Sequence, residues 1–129
     1  AQHCIPSTQA QIFIDQLPAE FVRANEMLAL LKMSPMQKPP LEIAKEFPKV
    51  GSATWTIGWA FGEILVVFHR YVAGRTGDDL VLDGPNLPGM SGGPVVNEAG
   101  QVVGINQASN VAASLACSQK EIREFLKLK

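Results

Sequence analysis

A serine set between glycines is the feature of this chain best suited to chemistry. Residues 89–94 have the sequence Gly-Met-Ser-Gly-Gly-Pro and lead into two valines. Glycine adopts φ values closed to residues with a Cβ, so the backbone can turn sharply and a substrate carbonyl can approach closely. Two neighbouring backbone N–H groups could then bind one oxygen and stabilise the charge that develops there in acyl transfer. The stretch therefore predicts that Ser91 is a nucleophile, with a bare turn as the alternative.

The same residues also match the Gly-x-Ser-x-Gly elbow of the α/β-hydrolases. That elbow needs a helix after the serine, and its acid and histidine come later in the chain. Here Pro94 and the β-branched residues after it favour a strand. Both histidines, His3 and His69, precede Ser91, and no Asp follows it. The order therefore excludes the elbow and leaves the order histidine, acid, serine.

Stretches along nearly the whole chain carry a resemblance to a known family. Residues 1–4 have the sequence Ala-Gln-His-Cys, and residues 88–97 with 101–106 combine the serine loop, a strand, a turn and Gly-Ile-Asn. These resemble the histidine and serine loops of the chymotrypsin-fold, trypsin-like serine peptidases, most of all the compact HtrA-type branch. More weakly, residues 28–32 resemble the segment after the family's catalytic aspartate, and residues 50–62 resemble the opening of its second barrel.

The resemblance implies a role for each of these groups. Ser91 would be the nucleophile and His3 the general base that takes its proton. The N–H groups of Gly89 and Ser91 would form the oxyanion hole. His69 lies in an alternating strand pattern, and we expect it to be structural.

The third member of the triad is where the chain departs from the family. The family's aspartate slot holds Met27, and a thioether cannot orient or stabilise the histidine as a carboxylate does. Glu26 is one residue away, and it becomes the candidate acid if the loop shifts by one residue. Met90 stands where the family usually has Asp or Asn. The main prediction is a serine endopeptidase, and the alternative is a catalytically impaired homologue that binds extended peptides or serves as a structural module.

Substrate contacts are implied by the resemblance alone. The pocket for the residue before the scissile bond would be lined by Pro85, Asn86, Leu87, Gln107, Ala108 and Ser109. The backbone of residues 107–109 would pair with the substrate as an added strand. No acid lies six residues before Ser91, where preference for Lys or Arg is usually set, so we expect a small or medium apolar side chain. Asp83 matches the HtrA-type pattern, with a simple turn residue as the alternative.

The elements that must position these residues are mostly strands. Residues 11–14 predict a short strand that breaks at Leu17 and Pro18. Residues 19–33 have the spacing of an amphipathic helix, whereas the resemblance implies two strands around a tight loop near Ala24 and Asn25. We follow the resemblance, because tertiary context often overrides local propensity. The prolines of residues 35–48 exclude a long helix or central strand and suit a connection between two barrels.

The second half of the chain has a β pattern and then a helix. Short strands are predicted at 54–58, 64–73, 79–82, 93–97 and 101–107. Ser118 and Glu121 form a capping box before an apolar helix face. The fold class expected is all-β, a chymotrypsin-like double β-barrel with an incomplete first barrel and a C-terminal helix. The units expected are the first-barrel remnant and linker (1–49), the second barrel (50–116) and the helix (117–129).

Composition limits the remaining possibilities. The chain has 129 residues, 47% of them hydrophobic, with a net charge of −1 and no basic run, so we expect a polypeptide partner and no nucleic acid. No apolar run is long enough for membrane insertion, no ligand spacing implies a metal or other cofactor, and the oligomeric state is not specified. We expect a soluble fragment of a longer protein, with secretion or a periplasmic location among the compartments left open. One disulfide between Cys4 and Cys117 and a buried free Cys117 both stay open.

Overall fold

A computed structural model describes residues 1–5 and 11–129 of the chain. These residues form nine strands, a short 3-10 helix at Gln2–Cys4 and one α-helix. In chain order they are β1 (Ile12–Ile14), β2 (Leu17–Ala24), β3 (Ala29–Met33), β4 (Ala53–Ala60), β5 (Ile64–Thr76), β6 (Asp79–Asp83), β7 (Pro94–Asn97), β8 (Val102–Ser109), β9 (Ala113–Ser118) and α1 (Gln119–Leu126).

The first unit is an antiparallel sheet in the order β1-β2-β3. Exposure alternates along β2, as expected for a strand with one face covered. The helix that local spacing predicts over residues 19–33 is therefore wrong, and the two strands around a tight loop are confirmed. The break predicted at Leu17 and Pro18 is misplaced, because both residues belong to β2. It lies at Asp15 and Gln16, whose φ values of +53° and +66° suit a two-residue hairpin turn. Pro18 is tolerated in β2 because β3 ends opposite Ala19, so its missing N–H faces no partner.

The second unit is a closed barrel with strands in the order β4-β5-β6-β9-β8-β7. Strands occur in all five segments predicted after residue 54, with β5 extending to Thr76. The strand β9 was not predicted, because Ala-Ser-Leu-Ala-Cys-Ser contains none of the β-branched and aromatic residues that favour strands. It forms between β6 and β8, where pairing on both edges and burial compensate for weak local preference.

Two apolar clusters hold the fold together. The first fills the barrel with Ala44, Val72, Leu80, Leu82, Val95, Val103 and Ala116. The second joins the loop before β3, the barrel and α1 through Leu28, Val102, Cys117 and Ile122. The segment between β3 and β4 is fixed to the barrel, since Ala44 N–H donates to the carbonyl of Val102 and Val102 N–H donates to that of Glu42 (2.9 and 2.8 Å).

The C-terminal helix α1 begins at its predicted cap. Glu121 Oε2 accepts a hydrogen bond from Ser118 N–H at 3.0 Å, which is one half of the capping box. Its buried Ile122 and half-buried Phe125 and Leu126 face the second apolar cluster. Within residues 1–5 and 11–129, no helix is long and apolar enough to cross a membrane.

Candidate active site

Ser91 lies in the loop between β6 and β7, and backbone hydrogen bonds tie that loop to β8. Gly92 N–H donates to the Asn106 carbonyl at 2.8 Å, and Asn106 N–H donates to the Gly93 carbonyl at 2.9 Å. Gly93 N–H closes the turn by donating to Met90 at 3.1 Å. The serine is therefore held on both sides by the main chain of the barrel.

Glycines allow this loop to pack directly against β4 and the turn that follows it. A Cβ on Gly93 would lie 2.1 Å from the carbonyl oxygen of Ile57. A Cβ on Gly89, whose φ is +92°, would lie 2.6 Å from the carbonyl oxygen of Trp59. Neither position can accept a larger residue without moving backbone, which explains the glycines around Ser91.

Met90 anchors the loop from inside. Its side chain is 1% exposed, and its Sδ accepts a weak hydrogen bond from Leu87 N–H at 3.4 Å. A Cβ on Gly58 would lie 3.1 Å from Met90, so the two backbones meet closely there. An apolar contact thus supports the loop at the position where the resemblance leads us to expect a polar side chain.

The peptide between Pro88 and Gly89 has a fixed orientation. Its carbonyl oxygen accepts a hydrogen bond from Phe61 N–H at 2.7 Å, in the turn between β4 and β5. In a trans peptide the N–H points opposite to the C=O, so the N–H of Gly89 faces away from this turn. Among the hydrogen bonds of the described residues, none uses the N–H of Gly89 or of Ser91. Both predicted oxyanion donors are therefore available.

The N-terminal residues meet this loop. Cys4 Sγ donates to the Ser91 carbonyl at 3.5 Å, and a Cβ on Gly92 would lie 2.8 Å from the nitrogen of Ala1. Gln2 N–H donates to the Met27 carbonyl at 2.9 Å. The structure therefore brings together the three segments that contain the predicted histidine, acid and serine.

The three side chains are not joined by hydrogen bonds. Ser91 Oγ donates to the Gln107 carbonyl at 3.2 Å, while His3 and Glu26 are exposed. Over residues 1–5 and 11–129, no hydrogen bond links the His3 ring to Ser91 or to Glu26. Met27 packs against the second apolar cluster, so it turns away from solvent while its neighbour Glu26 remains exposed.

The turn that carries Glu26 is shaped by Asn25. Asn25 Oδ1 accepts hydrogen bonds from the N–H groups of Met27 and Leu28 at 3.0 and 2.7 Å. Asn25 N–H donates to the Leu28 carbonyl at 2.9 Å. Such side-chain bonds to the following backbone stabilise a tight turn. Glu26 therefore lies at the tip of a defined turn.

A cavity of about 650 Å³ opens beside Ser91. All six residues that the resemblance assigns to the substrate pocket line it: Pro85, Asn86, Leu87, Gln107, Ala108 and Ser109. Sequence reasoning missed Asn106, which also lines the cavity and is 2% exposed. The Gly-Ile-Asn match was the available signal, because it ends at this residue.

Two polar residues brace the wall of the cavity from β5 and β6. The Arg70 guanidinium donates to the Pro85 carbonyl at 2.5 Å and stacks over the Phe68 ring at 4.5 Å. Asp83 Oδ1 accepts a hydrogen bond from Tyr71 N–H at 2.6 Å. This bond fixes the end of β6, which leads into the cavity wall, to β5. No sequence signal distinguished Arg70 from other strand residues. His69 stacks on Trp55 at a centroid distance of 5.1 Å and lies tilted against Tyr71 at 4.9 Å.

The cysteines are not bridged to each other. Cys4 is exposed, and Cys117 is buried in the second apolar cluster. Burial, followed by the nearby Glu121 carboxylate, raises the pKa of the Cys117 thiol. Cys117 is therefore a small apolar core residue, which was one of the two alternatives.

Comparisons with known proteins give a consistent result. Residues 3–105 match the trypsin-like peptidase domain. No curated protein matches the chain. The Rv3671c protease from M. tuberculosis, in its active form, is similar with a TM-score of 0.78 at 19% identity, over 91% of this chain and 61% of that one.

Two further solved structures are similar over 86% of this chain. The serine endoprotease from Yersinia pestis has a TM-score of 0.78 at 24% identity, over 43% of its own chain. The HtrA-type protease AlgW, solved with a decapeptide, has a TM-score of 0.75 at 25% identity, over 40% of its own chain. This chain thus spans less than two thirds of each. The predicted fold class is confirmed: a chymotrypsin-like fold with an incomplete first barrel and a C-terminal helix.

Proposed function

This chain belongs to the trypsin-like peptidase domain family, and we propose that it is a serine endopeptidase that cleaves polypeptides through an acyl-enzyme. In this reaction His3 takes the proton of Ser91 while Oγ attacks the carbonyl carbon of the scissile bond. The N–H groups of Gly89 and Ser91 stabilise the charge on the carbonyl oxygen. His3 then passes the proton to the leaving amine, and water hydrolyses the acyl-enzyme.

The single observation that carries this proposal is the orientation of the peptide before Gly89. The hydrogen bond from Phe61 N–H to the Pro88 carbonyl turns that carbonyl away from the serine and leaves the Gly89 N–H free. In a turn without a catalytic role, nothing requires two unpaired N–H groups beside a serine at the edge of a cavity. An oxyanion hole does, because its donors must be in place before the charge forms.

The proposed reaction needs the three side chains to rearrange. The Ser91 hydroxyl donates to Gln107 and must turn toward His3, and the His3 ring must turn toward both Ser91 and Glu26. Glu26 is the proposed acid, since it is exposed beside Met27, whose carbonyl binds the residue before His3. Its carboxylate would accept the second ring N–H of His3 and stabilise the imidazolium.

The open edge of β8 supports an added-strand mode of substrate binding. The pairing of β7 with β8 ends at Pro94 and Ile105, whereas β9 continues along β8 to Ser109. One edge of residues 107–109 therefore has no strand partner within the described part of the chain. An extended substrate placed on this edge would run past Ser91 and direct one side chain into the cavity.

The second candidate function, a peptide-binding module without turnover, has its own support. The Ser91 hydroxyl is held by the Gln107 carbonyl, and Met27 occupies the expected acid slot. A homologue of this kind would bind extended peptides along β8 and leave them intact.

Labelling with a fluorophosphonate probe separates the two functions. We expect the protein to be labelled and Ser91→Ala to abolish the labelling, because only an activated serine attacks the phosphorus. Ser34→Ala is the control, since Ser34 is an exposed serine that lies outside the cavity beside Ser91. Equal labelling of the protein and Ser91→Ala, or none of either, would favour the binding module.

A further inference from the structure

The cavity beside Ser91 is lined by side-chain amides and not by charges. Asn86 comes from the loop before the serine, and Asn106 and Gln107 come from β8. Among its lining residues in the described chain, none is charged. A charged substrate side chain would lose its hydration there without finding an opposite charge, which is unfavourable.

One hydrogen bond joins two of these amides and leaves two polar atoms unpaired. Asn86 Nδ2 donates to Asn106 Oδ1 at 3.1 Å. Asn86 Oδ1 and Asn106 Nδ2 have no hydrogen-bond partner, and neither is reached by solvent. The Nε2 of Gln107, the third amide, is likewise buried and unpaired. Exchanging oxygen and nitrogen in both amides would reverse the bond and still leave one carbonyl and one NH2 group unpaired. The pair therefore lacks one donor and one acceptor in either arrangement.

The backbones that carry the two amides are fixed relative to the nucleophile. Asn106 exchanges backbone hydrogen bonds with Gly92 and Gly93, on either side of the loop that holds Ser91. Asn86 N–H donates to Ser109 Oγ at 2.8 Å. Because both unpaired atoms are closed to solvent, a substrate group meets them only after the amides turn. The last torsion of an asparagine is broad, so each amide can make this turn while its backbone stays in place.

From these contacts we infer that the cavity selects a substrate side chain carrying a carboxamide, Gln or Asn, at the residue before the scissile bond. This inference rests on the proposed function, and it replaces the small or medium apolar side chain that the sequence suggested. A carboxamide offers one donor group and one acceptor, which complements the unpaired atoms of Asn86 and Asn106. Lys and Arg offer donors only, and a carboxylate offers acceptors only.

Apolar side chains of the same shape are the informative comparison. Leu has nearly the shape of Asn, and Met nearly that of Gln, but neither can pair the two amides. Sites built to hydrogen-bond a substrate group discriminate strongly against the analogue that lacks it, because their own polar groups stay unpaired. We expect the Asn and Gln peptides to exceed their Leu and Met counterparts by at least about tenfold in kcat/KM.

Two measurements on the full chain test this inference separately from catalysis. The first is kcat/KM for four peptides that differ only in Asn, Leu, Gln or Met before the scissile bond. The second is the Kd of the same peptides for Ser91→Ala, measured by calorimetry, which needs no turnover. Amide peptides that bind Ser91→Ala at least about tenfold more tightly support the inference even if none is cleaved, in which case only the proposed function fails.

A double variant provides the matched control. In Asn86→Leu with Asn106→Leu both partners become apolar and keep the same number of side-chain heavy atoms, which avoids leaving a single unpaired amide. We expect the variant to prefer Leu and Met peptides, while Val111→Ala, at the exposed rim of the cavity, keeps the amide preference. Cleavage without preference for an amide, preference for Leu, or no binding of any peptide at millimolar concentration would each overturn the inference.

Discussion

At the scale of single residues, two methionines define how this chain departs from its family. Met90 fills a buried position in the serine loop and supports it by packing. Met27 packs into the cluster that joins the barrel to α1, so its slot contributes to stability rather than to acid catalysis. In the proposed mechanism the acid is therefore the neighbouring Glu26.

We predict that Glu26→Gln lowers kcat substantially. Loss of the triad acid can cost about 10⁴ in kcat, because the histidine is no longer held in the correct tautomer. An exposed carboxylate at a turn tip interacts through solvent, so we expect a smaller loss, about 10²-fold. The measurement is steady-state kinetics with a peptide substrate, and Glu20→Gln, an exposed residue of β2, is the control. An unchanged kcat in Glu26→Gln would remove Glu26 from the mechanism.

Residue identities in the serine loop were predictable, whereas the supporting contacts were not. The glycines around Ser91 follow from the close approach of backbone at Gly89 and Gly93, and this pattern is visible in the sequence. Arg70 and Asn106 act through partners that are distant in the chain, at Pro85 and Asn86. Sequence alone does not specify which strand residues meet across a barrel, so these contacts could not be predicted.

At the scale of elements, the turn between β4 and β5 acts on the proposed oxyanion hole. Phe61 has a φ of +55°, which is unusual for a residue with a Cβ. Its N–H holds the Pro88 carbonyl, and through the trans peptide it sets the direction of the Gly89 N–H. The turn therefore serves as a positioning element for the serine loop.

Two substitutions at position 61 test this role. Phe61→Pro removes the N–H and cannot adopt a positive φ. The peptide between Pro88 and Gly89 therefore loses the hydrogen bond that fixes its orientation. We expect kcat to fall by about 10²-fold or more, comparable to loss of one oxyanion donor, with KM changed little. Phe61→Gly keeps the N–H and accepts the positive φ, so its kcat should stay near that of the parent. Equal kcat values for the two variants would contradict the positioning role.

Element type was predicted well from the local pattern of the barrel strands β4 to β8 and poorly in two other segments. Strands β4 to β8 carry alternating or β-branched residues, so their pattern was visible. Residues 19–33 have helical spacing, yet pairing in the β1-β2-β3 sheet decides their structure. The strand β9 is made of small residues and exists because β6 and β8 both pair with it.

At the scale of the whole molecule, one carboxylate makes stability depend on pH. Partial burial, followed by the Glu121 and Asp78 carboxylates, raises the pKa of Asp79 above its ordinary value of 3.8. Between the pKa values of the unfolded and folded states the folded protein binds the extra proton, so its stability falls as pH rises through that range. At neutral pH the ionised Asp79 therefore lowers the free energy of unfolding.

We predict that Asp79→Asn stabilises the protein at pH 7. The amide carries no charge to desolvate or repel, and for a partly exposed group we expect a gain below about 1 kcal/mol. Urea unfolding at pH 7 and pH 3 measures the gain in the free energy of unfolding. The gain should disappear at pH 3, where Asp79 is protonated in both the folded and the unfolded state. Asp15→Asn, at an exposed hairpin turn, is the control. A variant less stable than the parent at pH 7 would contradict the prediction.

The two hydrogen-bonding roles of Asn106 have a consequence for how such a protein can diversify. Its main chain holds the serine loop, while its side chain accepts a hydrogen bond from Asn86 in the cavity wall. Asn86 is bonded to Ser109 and not to the glycines around the nucleophile. If the proposed cavity preference holds, we expect a laboratory selection for new substrates to change position 86 first, because substitutions there would alter preference and leave the proposed nucleophile in place.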